Sequence, residues 1–173
     1  MRIRPAEPAR DAAACAAIYR PFVDDCGVSF EEVSPDAAEF ARRIQRLSAS
    51  HVFLVAEDDR EVIGFAYGGP HRERAAYRWA TEVSVYIHRR ARRQGLGRAL
   101  YEELFTQLAG RGFAVALAGV TLPNPGSVAL HEGCGFEPVG VYRDIGYKAG
   151  AWRDVGWWQR RLLTPPGPPA EPS

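Results

Sequence analysis

The run from Arg92 to Gly97 carries the residues with the clearest chemical use in this sequence. It reads Arg-Arg-Gln-Gly-Leu-Gly and lies between an alternating, strand-like segment and an amphipathic helical pattern. Two glycines one residue apart let the backbone approach a ligand closely, and a helix that begins there presents free N–H groups and its positive dipole end to an anion. The run therefore predicts a binding site for a pyrophosphate group.

Other glycine-based nucleotide sites fit this run poorly. A dinucleotide-binding turn needs G-x-G-x-x-G, but Leu100 occupies the place of the third glycine, and the sequence has no Gly-Lys-Ser or Gly-Lys-Thr of a P-loop. Two simpler interpretations stay open: the glycines only shape a turn, or the basic residues from His88 to Arg93 form a solvated loop or a nucleic-acid patch. The basic run lacks the interleaved aromatic residues of single-strand binding grooves.

Composition predicts one cytoplasmic domain. The chain has 173 residues, with 22 basic and 21 acidic side chains and a net charge of +1, so no overall field favours nucleic acid or membrane. Neither a signal peptide nor a membrane-spanning apolar stretch is visible. Three cysteines and four histidines at unrelated spacings predict free thiols and no metal site. We expect no nucleic-acid or membrane partner.

The hydrophobic period switches repeatedly, which indicates a mixed α and β domain. Helices are expected over 9–25, 35–48, 96–108 and 124–131, the second of them capped by Ser34. Strands are expected over 51–57, 61–67, 81–87, 114–122, 136–143 and 155–162. The proline-rich segment 164–173 is expected to be a disordered tail, which leaves residues 1–163 as the domain.

The order strand, R-x-x-G-x-G, helix, strand and short helix resembles the GCN5-related N-acetyltransferase superfamily. Further stretches resemble its phosphinothricin acetyltransferase branch: Gly64-Phe65-Ala66-Tyr67, the strand from Thr81 to Ile87, Leu130-His131-Glu132 and the segment from Trp152 to Gln159. The resemblance covers nearly all of residues 1–162. It implies an α/β (α+β) fold in which about four helices flank a central, mixed, mostly antiparallel, twisted sheet with a splayed parallel strand pair.

The resemblance also implies an activity. Members of this branch acetylate the α-amino group of small amino-acid-like compounds, so the implied acceptor is of the phosphinothricin, methionine sulfoximine or methionine sulfone type. The amine would attack the thioester of acetyl-CoA directly in a ternary complex, without a metal, and the enzyme would be a homodimer. Two alternatives stay open: an acceptor that is a polyamine, an aminoglycoside or a protein amine, and a catalytically silent acyl-CoA-binding regulatory module.

Two residues are assigned to catalysis. Strand alternation places Glu82 on one face with Ser84 and Tyr86, and the resemblance makes Glu82 the general base, acting directly or through water. The alternative for Glu82 is an edge-strand ion pair with Arg78. His131 stands where most of the superfamily has a tyrosine that protonates the CoA thiolate, so a general acid, a water relay and a structural polar residue remain open for it.

Three segments are expected to bind acetyl-CoA. They are the strand backbone at Val85, Tyr86 and Ile87, expected to contain a bulge; the run of Arg92, Arg93, Gln94, Gly95, Leu96, Gly97 and Arg98; and the pair Asn124 and Ser127. Within these segments, the Leu96 side chain is expected in the core, and Asn124 would also serve as a helix N-cap.

The expected acceptor site lies in the loop before this strand. Arg72 and Arg74 would bind the carboxylate of the acceptor, and Phe30 and Tyr77 would wall its side-chain pocket. An ordinary surface loop is the alternative for these residues. Trp157 and Trp158 are expected to be core and dimer contacts.

Overall fold

The computed structural model describes residues 1–164 and 170–172. In this part of the chain, four α-helices accompany a seven-stranded sheet. The strands are β1 (Arg2–Pro5), β2 (Phe53–Asp58), β3 (Glu61–Pro70), β4 (Ala80–Ile87), β5 (Val115–Leu122), β6 (Glu137–Lys148) and β7 (Ala151–Arg161). The helices are α1 (Pro8–Asp24), α2 (Ala37–Ser50), α3 (Leu96–Gly110) and α4 (Pro125–Gly133). The predicted fold class is confirmed.

The sheet opens between its two central strands. Its order is β1-β2-β3-β4-β5-β7-β6, and β4 with β5 is the parallel pair. Strand β4 pairs with β3 from Thr81 to Ile87, but it pairs with β5 only over Ala80–Glu82. The predicted splay is therefore confirmed, and within residues 1–164 and 170–172 the edge of β4 that faces β5 has no strand partner beyond Glu82. The β3–β4 register runs without a shift, so the expected bulge in β4 is wrong.

Helices cover both faces of the sheet. On one face, Val83 of β4 belongs to the same core cluster as Leu100 and Leu104 of α3. On the opposite face, the Tyr86 ring packs edge-on against Tyr19 of α1, with 4.8 Å between ring centroids. Alternation along β4 therefore places Glu82, Ser84 and Tyr86 on the side of α1 and α2, as the sequence predicts.

Two local features differ from the sequence prediction. The N-cap of α2 is Asp36, whose carboxylate accepts a hydrogen bond from the Glu39 N–H at 2.8 Å, while the Ser34 hydroxyl donates to Asp24. The predicted N-cap at Ser34 is wrong, because the Ser34 hydroxyl is hydrogen-bonded to Asp24 at the end of α1. Strand β1 was not predicted, since its four residues are too few for a hydrophobic period to show.

The C-terminal hairpin is longer than predicted, because β6 continues to Lys148 and β7 begins at Ala151. Most of the predicted tail, residues 165–169 and 173, lies outside the described residues. Within 170–172, the carbonyl of Ala170 accepts a hydrogen bond from Nε1 of Trp79 at 2.7 Å. The boundary at residue 163 stays a prediction. The three cysteines are free thiols, as expected.

Candidate active site

The start of α3 has the geometry of an anion site. Gly95 is its N-cap with φ 78°, and Arg93 two residues earlier also has positive φ, at 61°. Because the N-cap is glycine, no side chain caps the helix. The first-turn N–H groups of Leu96, Gly97 and Arg98 are thus available to a ligand, and the helix dipole adds positive potential there. Arg92, Arg93, Gln94 and Arg98 are exposed around this helix end.

Leu96 and Gly97 also serve the packing of α3. Leu96 is buried in the core, so only its backbone can reach a ligand. A Cβ atom on Gly97 would lie 3.0 Å from Cδ2 of Leu130, which is closer than ordinary van der Waals contact. Gly97 therefore lets α3 and α4 approach each other at the same place where its N–H faces the anion site.

The open edge of β4 leads from this helix end to Glu82. It includes Val85, Tyr86 and Ile87, whose backbone groups on the β5 side lack a strand partner. Unpaired strand groups can hydrogen-bond an extended ligand that carries amides, as an added strand would. The Arg92 side chain covers the end of this edge, where its Nε donates to the carbonyl of Ile87 at 3.3 Å.

Glu82 lies where the β4–β5 pairing ends. It is paired in register with Gly69 of β3 and Leu117 of β5, and its side chain is 40% exposed. Oε1 of Glu82 lies 2.8 Å from Nδ1 of His71, a residue that the sequence analysis missed. The alternative of an edge-strand pair with Arg78 is wrong, because β4 is an internal strand and Arg78 pairs with Glu171.

Glu82 also lines a cavity of about 280 Å³ between α1, α2 and the sheet. Aromatic and charged side chains both line it: the aromatic ones are Tyr19, Phe40, Phe53, Phe65, Tyr67 and Tyr86, and the charged ones are Glu39, Arg43, Arg46 and Glu82. Burial raises the pKa of Tyr67 and of Tyr86, so both phenols are neutral near pH 7. The cavity suits a compound with an apolar body and polar ends.

Arg43 is fixed at the edge of this cavity. Its guanidinium group donates to both carboxylate oxygens of Glu31, at 2.8 and 2.9 Å, and to Glu39 at 2.9 Å. The Tyr19 hydroxyl donates to the same Glu31 carboxylate at 2.9 Å. These bonds tie α1, α2 and the connection between them into one wall.

The residues predicted to bind the acceptor are not gathered in this cavity. Tyr77 packs edge-on against His71, with 5.6 Å between ring centroids, and His71 in turn contacts Glu82. Arg72 and Arg74 are exposed in the same connection between β3 and β4. The Phe30 ring lies over Gly146 of β6. None of the four lines the cavity beside Glu82.

Helix α4 holds the remaining predicted residues. Asn124 is its N-cap and accepts a hydrogen bond from the Ser127 N–H at 3.1 Å. His131 is 5% exposed, with Nδ1 at 2.7 Å from the Ser127 carbonyl and Nε2 at 2.9 Å from the Tyr101 hydroxyl. Since a carbonyl only accepts, Nδ1 carries the proton and Tyr101 donates to Nε2. Burial lowers the pKa of His131, which favours the neutral ring.

The two terminal tryptophans occupy different environments. Trp158 is buried in the core, and the Trp157 ring covers Gly119 of β5 and faces His71. In residues 1–164 and 170–172, the Trp157 indole N–H is the one buried side-chain polar group without a hydrogen-bond partner. Across the same residues, we find no group of three or more His, Cys, Asp or Glu arranged for a metal, and no helix long and apolar enough to cross a bilayer.

Comparison with known proteins gives the family of this chain. A family model described as the acetyltransferase (GNAT) family matches residues 16–136. The phosphinothricin N-acetyltransferase of Streptomyces viridochromogenes is 40% identical over 170 residues, covering 97% of this chain and 92% of that protein. The L-methionine sulfoximine/L-methionine sulfone acetyltransferase of Pseudomonas aeruginosa is 32% identical over 148 residues, covering 84% of this chain and 86% of that protein.

A solved structure shares both the fold and the sequence pattern. The crystal structure of a phosphinothricin acetyltransferase from Sinorhizobium meliloti in complex with AcCoA has a TM-score of 0.88 and 37% identity, covering 93% of this chain and 88% of that one. The predicted resemblance is confirmed. The chain therefore belongs to the acetyltransferase (GNAT) family and is an N-acetyltransferase similar to the phosphinothricin enzymes.

Proposed function

We propose that this protein transfers the acetyl group of acetyl-CoA to the α-amino group of a small amino-acid-like acceptor, of the phosphinothricin, methionine sulfoximine or methionine sulfone type. The observation that carries the proposal is the position of Glu82. It stands where the open edge of β4 begins and, on the other side, in the wall of the cavity under α1 and α2. A base at this place can serve an amine that meets a thioester lying along β4.

The anion site and the open strand edge fit two neighbouring parts of one cofactor, the pyrophosphate and the pantetheine arm. The N–H groups of Leu96, Gly97 and Arg98 would bind the pyrophosphate, helped by the exposed Arg92, Arg93 and Gln94 and by the sharp turn at Gly95. The backbone at Val85, Tyr86 and Ile87 would pair with the pantetheine amides, and Asn124 and Ser127 would approach them from α4. Acetyl-CoA supplies an activated acyl carbonyl, and no metal takes part.

In the proposed mechanism, Glu82 accepts a proton from the acceptor ammonium, directly or through one water. The amine freed in this way attacks the thioester carbonyl in a ternary complex, so both substrates are held before the reaction begins. The C–N bond forms, the C–S bond breaks and CoA leaves as a thiolate, which takes up the second proton that the nitrogen loses and becomes the free thiol. We assign His131 a positioning role, since both of its ring nitrogens are already used by Ser127 and Tyr101.

Arg72 and Arg74 would bind the acceptor carboxylate. Their connection also carries His71, which contacts Glu82, so a carboxylate held there stays near the proposed base. Tyr77 and Phe30, which lie outside the cavity, would contact the part of the acceptor side chain that extends beyond it. Polyamines, aminoglycosides and protein amines are the alternative acceptors, and the thiol-release assay described below tests them as well.

We also propose a homodimer, formed through the C-terminal hairpin. Strand β6 is the edge of the sheet and exposes several apolar side chains with its neighbour β7: Val139, Val141, Ile145, Tyr147 and Trp152. An uncovered apolar edge strand is an association surface, and a second copy presents the same apolar row. Light scattering after chromatography should find a dimer for the native chain and for the exposed control Gln45→Glu, but a monomer for Val141→Glu with Ile145→Glu.

The activity is tested by thiol release from acetyl-CoA, with amino acids, sulfoximines, polyamines, aminoglycosides and a peptide amine as acceptors. We expect release with the amino-acid-like compounds. Glu82→Gln should lower kcat by about 10²- to 10⁴-fold while acetyl-CoA still binds, and the surface control Glu103→Gln should keep the native rate. Thiol release only with polyamines or peptide amines would change the proposed acceptor class. Binding of acetyl-CoA without any acceptor-dependent thiol release would overturn the proposed enzyme activity in favour of a silent acyl-CoA-binding module.

A further inference from the structure

The strand register brings His71 next to Glu82. His71 follows Pro70, the last residue of β3, and Pro70 pairs with Thr81 of β4. Nδ1 of His71 lies 2.8 Å from Oε1 of Glu82, within normal hydrogen-bonding distance. The His71 side chain is 13% exposed and that of Glu82 is 40% exposed. The histidine therefore holds the carboxylate from its protein side and leaves the other side open to a ligand.

Two rings from different elements fix the imidazole. Tyr77 packs edge-on at 5.6 Å between centroids, and Trp157 of β7 packs edge-on at 6.1 Å. Edge-on aromatic contacts favour one ring orientation over others. The side chain of His71 is thus oriented by the protein before any substrate binds.

We propose that His71 is a positioning residue for Glu82, an inference that rests on the proposed function of Glu82 as general base. The Nδ1–H group donates to Oε1 and holds the carboxylate in one rotamer. Oε2 is then the oxygen that takes the proton from the acceptor ammonium: one N–H bond breaks, one O–H bond forms, and the carboxylate becomes a neutral acid. After the transfer, this proton leaves from Oε2 to water.

Two substitutions separate the hydrogen bond from the packing. His71→Phe keeps a ring between Tyr77 and Trp157 but removes the donor, and His71→Asn keeps a donor near the Nδ1 position but cannot become charged. We expect His71→Phe to lower kcat about ten- to hundredfold with an unchanged KM for acetyl-CoA, since the base is present but misplaced. His71→Asn should recover most of kcat. Native kcat in His71→Phe over the whole pH range would overturn the proposal.

A double-substitution cycle with Glu82→Gln gives the second readout. If His71 acts through Glu82, His71→Phe should change the residual rate of Glu82→Gln by no more than about twofold. An equal loss in both backgrounds would show that His71 acts independently and would contradict the inference.

A measurement without turnover distinguishes failure of this inference from failure of the proposed function. Nitrogen-15 NMR of the histidine rings, assigned with His71→Phe, should show the Nδ1–H tautomer of His71 in the native protein and a changed signal in Glu82→Gln. An unchanged His71 signal would overturn the pairing. A native protein that shows the pairing but releases no thiol with any acceptor would instead refute the proposed activity.

Discussion

The hydroxyl of Tyr101 donates a hydrogen bond to Nε2 of His131 across the contact between α3 and α4, with 2.9 Å between the two atoms. The Nδ1 atom of the same ring donates to the Ser127 carbonyl at 2.7 Å. Helix α3 begins at the anion site, and α4 begins at Pro125, directly after its N-cap Asn124. One buried imidazole therefore joins the two helices whose first turns are proposed to hold acetyl-CoA.

Substitution of His131 should act on cofactor binding more than on the chemical step. His131→Gln cannot satisfy both Ser127 and Tyr101 from one side-chain position, so we expect a loss of about 1–3 kcal/mol in the free energy of unfolding. The KM for acetyl-CoA should rise, with a smaller change in kcat, and Tyr101→Phe should show the same pattern more weakly. Steady-state kinetics and urea unfolding measure both quantities. A kcat loss of about a hundredfold or more with unchanged KM and stability would instead favour His131 as a general acid.

The stability of the protein should fall on mild acidification because of its buried histidines. Burial lowers the pKa of His131 and that of His51 from the ordinary value of 6.5, so the unfolded chain takes up protons before the folded chain does. The contribution of the two histidines to the free energy of unfolding is complete above pH 6.5. It is lost as the pH falls toward their pKa values in the folded protein. Carboxylates affect stability only at lower pH, since the pKa values of Asp11 and Glu57 are shifted below their ordinary values of 3.8 and 4.5.

Urea unfolding at pH 7.5 and at half-unit steps down to pH 5 tests this expectation. The native protein should lose stability across this range, and His131→Gln should lose less because one of the two titrating groups is gone. His88→Gln removes an exposed imidazole and is the matched control. Equal slopes for native protein and His131→Gln would mean that His131 does not titrate with unfolding.

The sequence predicts the parts of this site that depend on neighbours along the chain. Alternation places Glu82 on the face of Ser84 and Tyr86, and the glycines with the following helical period locate the start of α3, because both patterns are local. The His71 contact depends instead on the register between β3 and β4, which no local pattern encodes. An isolated histidine after Gly-Pro carries no signal by itself.

The same limit explains the missed first strand. Strand β1 is identified only by its contacts in the folded protein. Arg4 pairs in register with Val55, and its guanidinium group donates hydrogen bonds to Asp11 and Glu57. An arginine in a four-residue segment is typical of an exposed terminus, and its burial depends on two carboxylates, one of which, Glu57, lies 53 residues along the chain.

Gly97 has two roles that a pair of substitutions can separate. A role in the anion site alone would make Gly97→Val block CoA binding and leave the fold intact, but a Cβ atom at this position would lie 3.0 Å from Leu130 of α4. We therefore expect Gly97→Val to lose both stability and affinity for CoA. Adding Leu130→Ala makes room on α4 and should recover part of the stability but not the affinity. Thermal unfolding and calorimetric CoA titration measure the two effects, and a double variant with native CoA affinity would move the pyrophosphate site away from Gly97.

The buried pair of Arg4 and Asp11 should be the most costly ion pair to break. Two guanidinium nitrogens of Arg4 lie 2.7 and 2.8 Å from the two Asp11 oxygens, and their side chains are 6% and 1% exposed. Asp11→Ala leaves a buried guanidinium group with Glu57 as its remaining close partner, so we expect a loss of about 3–5 kcal/mol in the free energy of unfolding. The double variant Arg4→Met with Asp11→Leu should lose less, because it leaves no buried charge unpaired.

Chemical denaturation of Arg4→Met, Asp11→Leu and their double variant completes a cycle that gives the coupling energy of the pair. Asp25→Asn weakens the exposed pair with Arg89 and should change stability very little, which makes it the control for an ion pair in water. Because Arg4 and Asp11 join β1 to α1 and do not line the cavity beside Glu82, kcat of Asp11→Ala well below its melting temperature should stay near native. A loss no larger than that of Asp25→Asn would mean that Glu57 and water satisfy Arg4 without Asp11.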